Sequence, residues 1–357
     1  MNKQLIVTAL LVLLTLGASA QVKVEVSETV ELMAILSRIA GFEEFSGNFA
    51  GKYSQDTEVW FAPYKNHSTV AYYQDIRAKQ GIGFERVTNM AIHIDIEKDK
   101  IKLIGDRKEL NNGWQNVDLD EFVKRLNKFY TDTRFHEFFE QHQAFYNDFL
   151  KAYEANVAVN IHPEWYNRFY YGTEPTDKFR LIIGFNYGMT NNGVSRKLPG
   201  QPREVFAICA YQLNATTGQP YYDLTKPLHE FSHSYVNPLL DNAVNASIMQ
   251  GTGKQLLQFA QAAMEQQHYT DWQIVINESI VRAAVVLYMH EHGFQQQMVL
   301  RILANEMMNE GFPWALDVVS ALNYYSAHRG QYKTLNDFYS EIAHCLNKYI
   351  EGKQKTQ

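Results

Sequence analysis

Apolar residues recur at three- and four-residue intervals along most of the chain, the spacing that lines one face of an α-helix. Helices are predicted over 28–40, 68–79, 84–93, 118–130, 133–156 and 163–171. Ser27 opens the first of these and Gly41 closes it, while Gly172 closes the last. The 133–156 segment carries Phe135, Phe138, Phe139, Phe145, Tyr146, Phe149 and Tyr153, a stripe that helical spacing assigns to the core rather than to a ligand platform. Val22–Val26 alternates as a short strand does, and 98–105 reads as a turn entering a short strand or as a surface loop.

The period then changes. Residues 179–185 and 205–211 are short, apolar and β-favouring, separated by an Asn- and Gly-rich stretch, and they predict two strands joined as a hairpin with a long loop. A helix that carries 228–237 follows, with Asp223 or Thr225 as its cap, Pro227 in its first turn and Pro238 at its end. Further helices are predicted over 251–265, 272–292, 296–308, 315–325 and 335–349, with breaks at Gly293 and at Gly311-Phe312-Pro313. The fold class expected is therefore α+β, mainly α, with a small sheet beside the 228–237 helix. No repeat of fixed period is present.

Composition narrows the setting. Met1–Gln4 is polar with one Lys, Leu5–Leu16 is apolar, and Ala18-Ser19-Ala20 has the small-residue pattern of a cleavage site, so 1–20 reads as a signal peptide cut after Ala20. That predicts a secreted or periplasmic protein with no stable membrane insertion, because the apolar run falls short of the roughly 20 residues a spanning helix needs. The remainder divides into a mainly helical region 21–172 and a region 173–357 that carries the motif below, or forms one continuous unit. With net charge −6 and no basic block, nucleic acid is not an expected partner. Cys209 and Cys345 are too few for a disulfide framework and read as two free thiols.

The candidate chemistry lies in His229-Glu230-Phe231-Ser232-His233. Residues four apart share a helix face, so His229 and His233 present two imidazoles to one ion, with Glu230 displaced to the side. Two histidines do not complete a catalytic zinc site, which takes three protein ligands. Glu278 is the candidate for the third: it interrupts an otherwise apolar helix, where a carboxylate has to be satisfied. Pairing with Arg282 one turn on, or exposure near the helix start, satisfies it equally well. His290, Glu291 and His292 are weaker candidates at a helix end beside Gly293.

His-Glu-x-x-His on one helix with Asn277-Glu278 on a later one resembles the gluzincin class of zinc metallopeptidases, such as thermolysin-like enzymes and zinc aminopeptidases. The segment 229–238, with 179–188 before it, also resembles an uncharacterised family of exported bacterial proteins regarded as metallopeptidases. The class implies a zincin-like core, Zn2+ held by His229, His233 and Glu278, and Glu230 as general base. It further implies a peptide or protein substrate lying along the 179–185 strand as an edge, near Asn186, Tyr187, Gly188 and Arg282. Tyr324, Tyr325 and His328 are of the residue types that stabilise the oxyanion in that class. Two departures stand out. Forty-five residues separate His233 from Glu278, more than in the aminopeptidases, and Arg282 occupies the place where thermolysin-like enzymes carry an Asp that orients a zinc histidine. The expected function is an exported zinc metallopeptidase; the alternatives are a non-catalytic binding or surface-assembly protein that keeps the fold, and a zinc hydrolase of non-peptide amides.

Overall fold

A computed structural model describes residues 22–110, 113–214 and 216–355, so the expected signal peptide lies outside the described residues. The chain opens with strand β1 (Lys23–Glu25) and helix α1 (Glu28–Ile39), whose first turn is capped by Ser27 Oγ accepting from Val30 N. Helices α2 (Lys52–Phe61), α3 (Ser68–Gln80) and α4 (Glu85–Ile92) follow, then a hairpin of β2 (Ile94–Glu97) and β3 (Lys100–Leu103). Helices α5 (Leu119–Asp132), α6 (Phe135–Gln141), α7 (Gln143–Asn156) and α8 (Pro163–Tyr166) lead through a π-helical turn, Asn167–Tyr171, to strands β4 (Lys178–Gly184), β5 (Asn191–Lys197) and β6 (Arg203–Ala210). The rest is helical: α9 (Thr225–Asp241), α10 (Ala243–Phe259), α11 (Gln261–Gln266), α12 (Trp272–Glu291), α13 (Gln296–Met308), α14 (Ala315–Ala327) and α15 (Tyr339–Gln354). The molecule is α+β and mainly α.

Several expectations need correction. The helix predicted over 133–156 is two helices, because the backbone turns at His142, whose Nδ1 bonds back to the Phe138 carbonyl at 2.8 Å. Helix α10 starts at Ala243 rather than 251, where Asn242 Oδ1 accepts from Val244 N. Strands β4 and β6 are parallel neighbours, not a hairpin, and the stretch between them contains β5, which pairs antiparallel with β6. Sheet order is β1-β4-β6-β5, which makes β4 an interior strand and β5 an edge.

Helix α9 lies across β5 and β6 and packs against α12 on its other side. Phe231 and Tyr235 fill the space beneath it, in ring contact with Phe179 and Tyr166. Pro238 does not end α9. A proline there cannot donate to the Ser234 carbonyl, and Arg203 Nη1 takes up that acceptor at 3.2 Å. The helix therefore continues to Asp241, about two turns past His233. Helix α12, 20 residues with mean hydropathy 1.2, is long and apolar enough to cross a membrane, yet it is mostly buried against α9, α10 and α14 and serves as the core helix of this half. The aromatic stripe of α6 and α7 is core: Phe145, Tyr146 and Phe149 pack on Phe185. Cys209 and Cys345 are free, the former buried on β6.

Candidate metal centre

Because α12 crosses α9 at its middle, Glu278 is delivered to the two histidines that α9 presents one turn apart. His229 Nε2 and His233 Nε2 lie 3.0 Å apart, and the Glu278 carboxylate reaches them at 3.4 Å (Oε2 to His229) and 3.3 Å (Oε1 to His233). Bonds of about 2.05 Å in a tetrahedral site put neighbouring donors about 3.3 Å apart. The three separations match that spacing, so the residues fit a zinc ion. Among the described residues this is the one group of three or more such side chains whose ligand atoms converge, all within 4.8 Å of one another.

The surroundings fix each ligand. His233 Nδ1–H donates to Asn237 Oδ1 at 3.0 Å, which leaves Nε2 with its lone pair directed at the site. Asn237 sits one turn beyond His233, on the part of α9 that Pro238 does not interrupt. Glu278 Oε2 accepts from Arg282 Nε at 3.0 Å. Arg282 is in turn held by Glu306 Oε2 at 2.6 Å, Gln267 Oε1 at 3.2 Å and the Tyr269 hydroxyl at 3.4 Å. Where the resemblance led to an Asp orienting a histidine, this chain has a guanidinium orienting the carboxylate. Arg282 borders the cleft, and its Nε, Nη1 and Nη2 all donate within the protein.

Charge is crowded here. Burial, the nearby charges of Glu278 and Glu85 adding to it, pushes Glu230 up to about 8 although His233 opposes the rise. Burial holds His229 below the ordinary imidazole range. Burial also works against a charge on His233, but its hydrogen bond and ion pair with Glu278 outweigh it and raise that imidazole's pKa. The opposite directions follow from one constraint: two imidazole nitrogens 3.0 Å apart do not both carry protons. Burial opposes the charge on Glu278, and both histidines outweigh it, so its carboxyl stays well below the usual range.

The centre opens into a cleft of about 770 Å³. Residues 190–193 of the β5 region line one wall, and Gln267, His268 and Tyr269, from the loop between α11 and α12, line another. His268 holds a positive φ of 61°, uncommon for a residue with a side chain.

Several predicted site residues lie elsewhere. Tyr324 stacks on His328 at an exposed surface with ring centroids 3.8 Å apart, and the buried Tyr325 hydroxyl donates to the Phe169 carbonyl. None of the three borders the cleft, because α14 packs on the far side of α12. Asn186 is buried, donating to Glu31 and Thr57. Tyr187 is buried, its hydroxyl bonded to Thr88 and, at 2.7 Å, to Asn192. Gly188 lies so close to the Glu44 carbonyl that a Cβ would clash with it. These three follow an interior strand, so the chain runs back into the core there, and the cleft wall begins only at Met189. At the end of α12, Glu291 accepts from Trp165 and Ser326, and His292 stacks on His162, so neither belongs to the centre; His290 is not part of the converging group either.

Residues 22–345 match the family model described as "Domain of unknown function (DUF4932)". The chain belongs to this family. No curated protein and no solved structure matches it. The match runs from β1 into α15 and so includes every residue of the centre.

Three contributors escaped the sequence reading. Asn237 had a usable signal, its i+4 spacing from His233 on the same face. Gly193, inside an Asn-rich stretch, marks a close backbone approach but is legible only once β5 is known. Tyr269 carried no local signal, since only the crossing of α9 and α12 brings it to the centre.

Proposed function

We propose that this DUF4932 chain is an exported zinc-dependent metallopeptidase with a zincin-like core of gluzincin type. The observation that carries the reading is the convergence of His229, His233 and Glu278 at tetrahedral donor spacing, with the buried Glu230 carboxyl one residue from the first ligand, at the floor of an open cleft. When bound, a zinc ion supplies Lewis acidity, polarising a substrate carbonyl and making a water acidic enough to lose its proton near pH 7.

The chain's own groups account for the remainder. Glu230, buried on the same helix beside the first ligand, takes the proton from the attacking water and returns it to the leaving amine. The Tyr269 hydroxyl, which accepts from Arg282 Nη2 and whose ionisation is opposed by burial and then by the charges of Glu278 and Glu230, stays protonated and donates to the developing oxyanion. Tyr269 takes the role assigned on residue type to Tyr324, Tyr325 and His328. Edge strand β5, rather than the interior β4, offers residues 191–193 for main-chain pairing with a peptide.

The test is metal analysis of the purified mature protein, joined to peptide turnover by wild type and Glu230→Gln. One zinc per chain and turnover lost in the variant with zinc retained are expected. A wild type that holds no stoichiometric zinc, even after incubation with it, sinks the reading.

A further inference from the structure

The cleft contains charged groups that the proposed chemistry does not use. Its two cationic side chains outside the histidines are both engaged: Arg282 by Glu278 and Glu306, and Lys226 by Gln212 Oε1 at 2.6 Å. Asp223 is used at the start of α9, where Oδ1 accepts from Thr225 N and Oγ1. Glu85 differs. It is the first residue of α4, on the cleft wall, and no hydrogen bond or ion pair joins its carboxylate to any described residue. Its side chain is exposed along that wall, and the cationic charges acting on it are those of His233 and of Arg86, whose guanidinium donates to the Gln80 and Gly81 carbonyls. It lines the same cleft as Glu230 and His233, close enough for its charge to act on both.

Beside it on the same wall is Phe84, an apolar ring 50% exposed. The turn that presents the pair is built rigidly. Glu44 Oε1 accepts from Phe84 N at 3.2 Å and from Arg77 Nη1 at 2.6 Å, and a Cβ on Gly83 would press on both Glu44 and Arg77. Phe84 itself sits at φ 47°, a conformation the surrounding bonds must impose. A free carboxylate next to an accessible aromatic face is the pairing that recognises an organic cation, by charge and by the ring's quadrupole.

We propose that Glu85 and Phe84 form a specificity subsite for a cationic group of the substrate, an ammonium or guanidinium supplied by a free α-amine or by a Lys or Arg side chain. This rests on reading the cleft as a peptide-binding site. Glu85 lines the same cleft as the three ligands and Tyr269, so the cationic group belongs to the part of the substrate that this cleft holds.

The experiment measures binding as well as turnover. Calorimetry on zinc-loaded Glu230→Gln protein compares three short peptides of one sequence: an N-acetylated one with Lys, an N-acetylated one with norleucine, and the norleucine one with a free α-amine. One of the two cationic peptides is expected to bind at least tenfold more tightly than the neutral one, and which of them does so identifies the source of the cation. Adding Glu85→Gln should bring that ratio to within twofold of one, and Glu85→Lys should reverse it toward a Glu-containing peptide. A wild-type ratio near one, or a preference that survives Glu85→Gln, overturns the subsite. Peptide turnover by the Glu230 protein is scored separately: cation-selective binding without turnover refutes the peptidase reading and leaves the subsite standing, whereas turnover without cation selectivity does the reverse.

Discussion

Gly193 on the edge strand β5 lies against the carbonyl oxygen of Glu230 on α9, with no room for a Cβ between them and with His233 Cβ close by. Strand and helix touch through bare backbone at the residue proposed to move protons. This contact sets the height of α9 above the sheet, and with it the depth of both histidines.

Gly193→Ala is therefore expected to force β5 and α9 apart. Overpacking of this kind costs roughly 1–3 kcal/mol, and in a chain of this size each kcal/mol lowers Tm by about 1–2 °C. Thermal denaturation reads the stability and a chelator competition reads zinc affinity; both should fall. A variant matching wild type in both would show that β5 does not set the position of α9.

Asn237→Ala removes the acceptor that holds His233 Nδ1–H. Loss of such a partner typically weakens metal binding by about 10–100-fold, and zinc affinity measured by competition should drop in that range. Asn237→Asp keeps an acceptor at the same reach and should recover most of the loss. Equal defects in the two variants would assign the effect to the helix end rather than to imidazole orientation.

What was legible from residues alone followed local rules. Helix α1 was marked by Ser27 and Gly41, and the histidine pair by i, i+4 spacing. Glu278 was legible because a carboxylate on an apolar helix needs a partner. Helix α2 escaped because it buries little beyond Tyr53, Ser54, Thr57 and Phe61 and shows no clear stripe. Strand β5 escaped because Asn191, Asn192 and Gly193 disfavour strands in isolation, and pairing with β6 overrides that preference. Strand direction was misjudged because alternation carries no information about which neighbour a strand takes. Tyr269, in the loop before α12, and Glu85, at the start of α4 where it packs on β5, come to the cleft only through tertiary packing, and Tyr324, Tyr325 and His328, assigned by residue type alone, lie outside it.

Arg282→Met tests the charge cluster behind the centre. It strips the guanidinium from Glu278 and Glu306, the first buried and the second largely so. Breaking a buried pair by removing one partner costs about 3–5 kcal/mol, because the remaining charge is left uncompensated. Zinc offers Glu278 a replacement partner, so denaturant unfolding should show the variant more destabilised without zinc than with it. An identical loss in both conditions would mean that Glu278 does not bind the ion.

Glu31, far from the centre, gives the fold its own pH dependence. Its carboxyl is fully buried between α1, α2 and the end of β4, accepting from Phe185 N at 2.6 Å, from the Tyr53 hydroxyl at 2.8 Å and from Asn186 Nδ2 at 3.4 Å. Burial raises its pKa from the ordinary 4.5 to about 7 despite these bonds. The folded state therefore holds a proton that the unfolded chain releases between those values. Stability from this group is fully present below pH 4.5 and is lost as pH rises through about 7. Glu31→Gln imitates the protonated form: its carbonyl still accepts from Phe185 N, and its amide can donate to the Tyr53 oxygen. The difference in unfolding free energy, variant minus wild type, should rise between pH 4.5 and 8 by on the order of 3 kcal/mol. Denaturant unfolding of both proteins across that range measures it, and parallel stability curves would place the Glu31 proton outside the folding equilibrium.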